Sequence, residues 1–278
     1  MWSQALTIAL VVASGVGGFI TTLSAVDSLT LARDRFYAQG RFADVFASVK
    51  RAPNALAEQL RATPGVADVQ TTIEQLVRIE IEGLSDPIVG QLMGVDTRKP
   101  PQMNRISLRS GRMLDEAAIS GAIIPAVVSA GFADKRNLKP GSQVRALING
   151  KQRTLQITGI AMSPEFIFAG LMGMPDLRGF GVFWVPQDML AAAYDMEGAF
   201  NRVAVKLAPG ASEPAVVDAL TLQLARYGGR EAHGREHQAS HAMLNNEIKE
   251  QHVMGTTLPS IFLGVAAFLL NVVVSRML

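Results

Sequence analysis

Apolar positions follow three regimes along this chain. At the two ends they are nearly continuous: Ala5 to Leu23 reads ALTIALVVASGVGGFITTL, and Leu258 to Val274 reads LPSIFLGVAAFLLNVVV. About 20 such residues at 1.5 Å each cross the ~30 Å hydrocarbon core of a bilayer as a helix. The second run is at the short end of that range, and Thr256 and Thr257 can extend it. Between the ends the spacing shortens to helical and strand periods. Val77-Arg78-Ile79-Glu80-Ile81-Glu82 alternates as a half-buried strand does. Leu56 and Leu60, between Pro53 and the stop at Pro64-Gly65, mark a helix that leads into a strand over Val66 to Thr72, and a helix between strands suggests a βαβ-like unit. After a turn over Leu138 to Gly141, Gln143 to Ile148 and Arg153 to Ile160 read as hairpin arms around Asn149-Gly150. Phe180 to Val185 and Asn201 to Leu207 are further strands. Gln187 to Met196 and Glu213 to Tyr227 are helices.

Strand and helix recur in the last third as in the first, so these parts read as halves of one lobe with the middle inserted. The predicted fold class is an α+β extracytoplasmic domain flanked by two transmembrane helices. Residues 1–26 form the first span, continuing as helix through Phe36, and 27–104 the first half of the lobe. Residues 105–197 form an inserted β-rich lobe entered past Lys99-Pro100-Pro101, and 198–230 the second half. Residues 231–252 are a stalk helix and 253–276 the second span.

Charge changes the picture only by sharpening it. Of 278 residues 49% are hydrophobic, high for a purely soluble protein. No Asp, Glu, Lys or Arg occurs from Met1 to Val26, and only Arg276 occurs after Glu250. With 26 basic and 24 acidic residues the chain is nearly balanced, which removes the main support for nucleic-acid binding. The absence of Cys excludes disulfides, thiolate metal sites and Cys nucleophiles. A secretory signal is the alternative for the first run, but it lacks a basic leader, is longer than a signal's apolar region, and Leu23-Ser24-Ala25 is a poor cleavage site. A buried core helix is the alternative for the second. With Arg276 behind the second run, both ends are expected in the cytoplasm and Asp27 to Glu250 outside it.

Within the first run small residues recur four apart, as Ala9, Ala13, Gly17, Thr21 and as Ser14, Gly18, Thr22, a face that another helix can approach closely. Asn271 places an amide in the second run, where either a partner helix accepts its hydrogen bonds or it reaches water at the helix end. Gly17, Gly18 and Asn271 are the candidate helix-packing residues.

An N-terminal span, FADVFASVKRAP (Phe42 to Pro53), PGVADV (Pro64 to Val69), SGRML (Ser110 to Leu114), LKPGSQVRALINGKQRTLQITGIAMSPEF (Leu138 to Phe166), GAFNRV (Gly198 to Val203) and a span containing VAAFLLNVVVSR occur in that order. The series resembles the first part of an FtsX-like, MacB-type ABC transporter permease of the inner membrane. The resemblance implies a split porter-like lobe holding the inserted β-rich lobe, further C-terminal spans or a second permease copy, a cytoplasmic ABC ATPase subunit and a periplasmic adaptor protein as partners, and no cofactor. It implies mechanotransmission, in which the ATPase moves the periplasmic domain to export or extract a substrate. A two-span anchored binding or sensor domain is the alternative.

The chain has no G-x-x-x-x-G-K-[ST] phosphate loop and no G-x-S-x-G elbow. His233, His237, His241 and His252 share one face if the segment is helical, and His233-Gly-Arg-Glu-His237 matches H-x-x-E-H. Gly234 weakens such a helix, and Glu247 and Glu250 are the only downstream carboxylates for a third ligand, so the reading is a solvated stalk face with no catalytic or metal site. Glu165 reads as a loop carboxylate facing solvent. Its neighbourhood, Met162 to Gly181, interrupts Phe166, Ile167, Phe168, Leu171, Met172 and Met174 with Pro and Gly, fitting neither a strand nor a long helix. Phe166, Phe168, Leu171, Met172 and Met174 are the candidate partner or substrate contacts, the alternative being that they cover the β-rich lobe.

Overall fold

The computed structural model describes residues 2–83, 86–99, 101–115, 123–170 and 174–275. In chain order its elements are α1 (Trp2–Gln39), β1 (Val45–Pro53), α2 (Leu56–Arg61), β2 (Val66–Thr72), β3 (Glu74–Glu80), β4 (Ile88–Val95), β5 (Ser107–Gly111), β6 (Ile123–Ser129) and α3 (Ala130–Arg136). There follow β7 (Gln143–Ile148), β8 (Lys151–Met162), β9 (Phe180–Pro186), α4 (Gln187–Ala193), β10 (Ala199–Leu207), α5 (Glu213–Ala225), β11 (His233–Gly234) and α6 (Ala239–Ser275). The chain divides into two units, Met1–Phe36 with Met243–Leu278, and Tyr37–Ala242.

The first unit pairs α1 with α6. Leu263 lies 3.3 Å from where a Cβ on Gly15 would be, and Thr22 only 2.3 Å from a Cβ on Gly255, so Gly255 is required where the helices touch. Most of the apolar surface points outward: Leu6, Leu10, Phe262 and Phe268 are each more than half exposed. Only 17% of the most apolar stretch of α6 is buried. Within this chain α6 is therefore not a covered core helix, whose apolar side chains would be buried.

The second unit holds two sheets. β1, β2, β10 and β11 form a four-stranded antiparallel sheet in the order β11-β1-β10-β2. β1 and β2 are therefore parallel, with β10 between them, and β10 and β11 are parallel around β1. These are two interlocked split βαβ units, the ferredoxin-like arrangement. The sequence builds it from stripes: Leu56 and Leu60 on α2, and Val216, Leu220 and Leu224 on α5, fall on one face of each helix and pack on Val45, Ala47, Phe200, Val203 and Val205.

The remaining strands form a barrel. β8, β6, β9, β4, β3 and β7 pair in turn, and β7 returns to pair with β8, closing six strands, while β5 adds outside against the far end of β8. Inside lie Val77, Ile79, Leu92, Val128, Ala146, Leu155, Ile157 and Phe183. A second apolar layer, with Met93, Val127, Val182 and Trp184, lies on the outer face and is covered by Phe166 and Ala169. The strands shared by both layers carry apolar residues on both faces, as IVGQLMGV in β4 and FGVFWVP in β9 show. Asn149 and Gly150 both take positive φ in the β7–β8 turn, which fits the Asn-Gly choice there. Gly111 has φ +80° and a Cβ there would lie 2.3 Å from the Thr158 carbonyl oxygen, so the SGRML segment needs glycine to bend β5 against β8.

The barrel begins earlier than residue 105. β3 and β4 lie within 27–104 yet pair into the barrel, and Ile73 is the crossing point, where β2 of one sheet runs directly into β3 of the other. Lys99 lies between β4 and β5, inside the barrel portion and not at its entrance.

Candidate functional site at the roots of the two long helices

The end of α1 and the beginning of α6 are fastened to both sheets by one polar network. Past Gln39 the chain turns through Gly40 and Arg41, whose φ is +44°. The next strand-linking segment returns to hold it: Arg105 N donates to Gly40 O at 2.8 Å, and Asn104 N to Arg41 O at 3.2 Å. Both polar atoms of the Asn104 side chain are engaged. Its Oδ1 accepts from Ala43 N at 2.9 Å and its Nδ2 donates to Glu165 Oε2 at 2.8 Å. Asn104 also has positive φ, which asparagine tolerates better than most residues.

Glu165 is 3% exposed and sits in a short 3₁₀ turn after β8. This corrects the reading of a solvent-facing carboxylate: Pro164 and the turn fold the side chain inward onto Arg202 of β10, with which it forms an ion pair. Arg202 also pairs with Glu74, the first residue of β3. Beside it, Asn201 Oδ1 accepts from Glu74 N and Asn201 Nδ2 donates to Glu74 O, both at 2.8 Å. Two adjacent residues of one sheet thus hold the first residue of the other. The α6 root joins through Gln238, whose Nε2 donates to Glu165 O at 2.7 Å while its Oε1 accepts from His241 N at 2.7 Å, capping the first turn of the helix. Ser240 Oγ accepts from Phe168 N at 2.9 Å. Tyr37 at the end of α1 meets His241 directly, with its hydroxyl 3.1 Å from Nδ1.

A second cluster surrounds the same roots. Arg235 lies over the Phe42 ring at 4.8 Å and donates to Phe42 O at 3.0 Å and Ala43 O at 3.1 Å. It shares Asp44 with Lys206, whose Nζ is 3.0 Å from the carboxylate. Among the described residues no buried side-chain polar atom lacks a hydrogen bond. A satisfied polar network in a low-dielectric setting is rigid, and half of it is worse than none. Chemically it offers no nucleophile or exposed acid and base; it ties both helix roots to both sheets.

The family model of the MacB-like periplasmic core domain matches residues 5–222. The chain belongs to this family. It is therefore a member of the FtsX-like, MacB-type ABC transporter permeases, a membrane protein with an extracytoplasmic domain. The extracellular domain of the noncanonic ABC-type transporter YknZ from Gram-positive bacteria is similar at 14% identity over 69% of this chain and 98% of that one, with a TM-score of 0.42. The periplasmic region of MacB from Actinobacillus actinomycetemcomitans is similar at 10% identity over 74% and 92%, with a TM-score of 0.43. Comparison with curated proteins gives no match.

In this MacB-like domain two of the motifs that carried the resemblance meet at one point: SPEF supplies Glu165 and GAFNRV supplies Asn201 and Arg202. Sequence reasoning passed over Asn104, Arg202 and Gln238. The available signal was a charged residue on β10 among strand-period neighbours, with a carboxylate flanked by Pro164 and Phe166. Of the candidate contacts, Phe166 is half-buried, edge-on to Trp184 at 6.1 Å and beneath Arg202 at 5.9 Å. Phe168 is half-buried and held by Ser240. Met174 is 70% exposed. Leu171 and Met172 lie outside the described residues, as does Arg276.

Of the four histidines only His241 and His252 share a helix. His233 is on β11 and His237 in a 3₁₀ turn, and α6 starts only at Ala239, so the stalk helix expected from residue 231 is shorter and the H-x-x-E-H geometry is not formed. The cause is at Gly234, where a Cβ would lie 1.8 Å from the Glu213 carboxylate and the chain pairs with Val45 as a strand. His233 stacks on Phe46. Burial holds its pKa below the ordinary value, the charges of Arg202 and His237 add to that, and a backbone hydrogen bond at Glu231 opposes it. In the helical unit Gly17 and Gly18 have nothing within 4 Å of a would-be Cβ, so α6 does not press on α1 at these two residues, although it meets Thr22 on the same stripe as Gly18. Asn271 is exposed, and its Oδ1 accepts from Ser275 Oγ at 3.2 Å, one turn along the same helix.

Proposed function

We propose that this chain is a permease subunit of the mechanotransmission kind, in which a cytoplasmic ATPase displaces α1 and α6 and the displacement reaches the extracytoplasmic domain through the Asn104–Glu165 pair. The single observation that supports this reading is that the two helix roots are held through one hydrogen-bonded pair of residues, Asn104 and Glu165. The Asn104 side chain holds the segment after α1, the Glu165 backbone carbonyl accepts from the residue before α6, and Arg202 of β10 joins the Glu165 carboxylate to Glu74 of β3. In this reading the chain hydrolyses no nucleotide itself and sits in the inner membrane with its domain outside. The open face at Gly17 and Gly18, with Asn271, receives other permease spans or a second copy. Contact with an adaptor or substrate is confined to the exposed side of the 174 region, while Phe166 and Phe168 position the junction.

The test uses the chain with its cognate ABC ATPase, reconstituted in lipid and held in nucleotide-free and vanadate-trapped states. The absence of native Cys allows spin labels to be placed cleanly, one pair at Arg35 and Glu247 on the long helices, another at Asp218 on α5, which packs on the four-stranded sheet, and Gln143 on β7 of the barrel. Both distances are expected to change together on trapping. With Asn104→Leu, the helix pair is expected to change while the sheet pair stays still. Equal response of both pairs in that variant refutes the role of the junction, and no helix response in the parent chain refutes the transport reading.

A further inference from the structure

One mouth of the barrel carries two cations at positions that the strand period assigns to its interior. On β7, Val144, Ala146 and Ile148 are buried and alternate with exposed residues. Their antiparallel partners on β8 are Leu155, Arg153 and Lys151, and directly paired residues share a face. Leu155 is fully buried, as that face requires, whereas Arg153 and Lys151 continue the face outward into a cavity of about 440 Å³. Ile124 and Ile148 form its apolar floor, and Met189 and Ala193 of α4 one wall. Asn149 ties that wall to the hairpin, its Nδ2 donating to Ala193 O at 2.7 Å, so the cavity is framed by fixed elements.

Among the described residues neither Lys151 nor Arg153 has an ion-pair partner. The carboxylate in the wall, Asp188, is engaged by Arg98 at 2.9 Å, and Glu80, on the neighbouring strand, by Gln152 and Arg145. Two like charges over an apolar floor repel, and both gain if an anion enters. The volume lies within the ~300–1,000 Å³ of small-molecule sites, and barrel mouths are a common place for them.

We propose that this cavity binds a small amphiphilic anion, its apolar body on Ile124, Ile148 and Met189 and its single carboxylate or phosphate held by Lys151 and Arg153. A cationic ligand would face two positive groups and an occupied carboxylate, and a purely apolar one would leave both cations uncompensated. The inference is independent of the transport reading, since binding requires no ATPase.

The full chain in phosphatidylcholine nanodiscs is titrated calorimetrically with octanoate, with empty nanodiscs subtracting partition into lipid. Saturable binding of octanoate is expected, with acetate at least tenfold weaker and octylammonium not bound. Lys151→Gln with Arg153→Gln is expected to weaken octanoate at least tenfold. Ala192→Trp, which keeps both cations and fills the cavity, is expected to do the same, so the proposal stays testable if the double variant is poorly folded. Unchanged octanoate affinity in the folded variants, or equal binding of octylammonium, overturns it. Displacement of octanoate by phosphatidylglycerol built into the discs overturns the free-amphiphile reading in favour of a bilayer lipid.

Discussion

Two clusters of charge in this domain are built by opposite rules. At the helix roots Glu165, Arg202 and Glu74 alternate in sign, are largely withdrawn from water and are saturated by Asn104, Asn201 and Gln238. At the barrel mouth Lys151 and Arg153 have the same sign, stand at the edge of the core and have no carboxylate between them. The first has nothing to offer a ligand and much to lose from any displacement, which suits a mechanical joint. The second contributes nothing to the fold that apolar residues would not, which suits a site whose partner comes from outside. The contrast separates charges that define geometry from charges that await a counter-ion.

The sharpest way to break the comparison is to halve the buried cluster. Arg202→Met leaves the Glu165 carboxylate without its cation, and such a loss costs about 3–5 kcal/mol. For a domain of this size that is a fall of roughly 10 °C in melting temperature. Adding Glu165→Leu to the same chain should restore part of the loss, since it removes the unpaired buried charge while leaving Asn104 Nδ2 without its acceptor. Additive destabilisation in the double variant, by differential scanning calorimetry, would show that the residues do not act as a unit.

A smaller loss is expected from Asn104→Leu, which strands the Ala43 amide and one oxygen of Glu165. Each unsatisfied buried group costs about 1–3 kcal/mol. Hydrogen exchange at the amides of Ala43 and Phe168 measures where the loss falls. Faster exchange at both is expected, because one side chain links the two root segments; a change confined to Ala43 would mean the roots are held separately.

How far this contrast could be read beforehand depended on periodicity. Strands with one wet face were legible: Val77 and Ile79 point inward between Arg78 and Glu80, and β2 and β7 have their expected limits. β4 and β6 were not, because the barrel core covers one face and the layer around Trp184 the other, leaving apolar runs with no alternation. The same omission displaced the start of the barrel to residue 105. Glu165 was misread for a related reason. Burial of a carboxylate is decided by a cation 37 residues away on another strand, and no local pattern carries that information. The apolar spacing around Phe166 did hold the clue that the segment covers something, and what it covers is the outer face of β9.

At the barrel mouth the expected effect is opposite in sign and smaller. Lys151→Met with Arg153→Met replaces two repelling cations on a core-facing row with side chains that extend the apolar floor. A gain of about 1 kcal/mol, a few degrees in melting temperature, is expected. A loss of stability would mean the cations have an internal partner, and the comparison between the two clusters would fail.

The smallest effect concerns His233, at the edge of the compensated cluster. Its native pKa is depressed from about 6.5, chiefly by burial and further by the charges of Arg202 and His237. Below pH 6.5 the unfolded chain takes up a proton that the folded one resists, so the unfolded state binds more protons and stability falls as pH falls. The stabilising contribution is fully present above the unfolded value and is lost as pH drops through the lowered native one. His233→Gln removes the titration while keeping a side chain of similar length beside Phe46. Melting temperatures of the parent and the variant, compared between pH 7.5 and 5.5, should show the steeper acid loss in the parent. The same slope in both would mean that the imidazole is protonated as easily in the fold as out of it, and that the cation at Arg202 is fully neutralised by Glu165 and Glu74 before its field reaches the neighbouring strand.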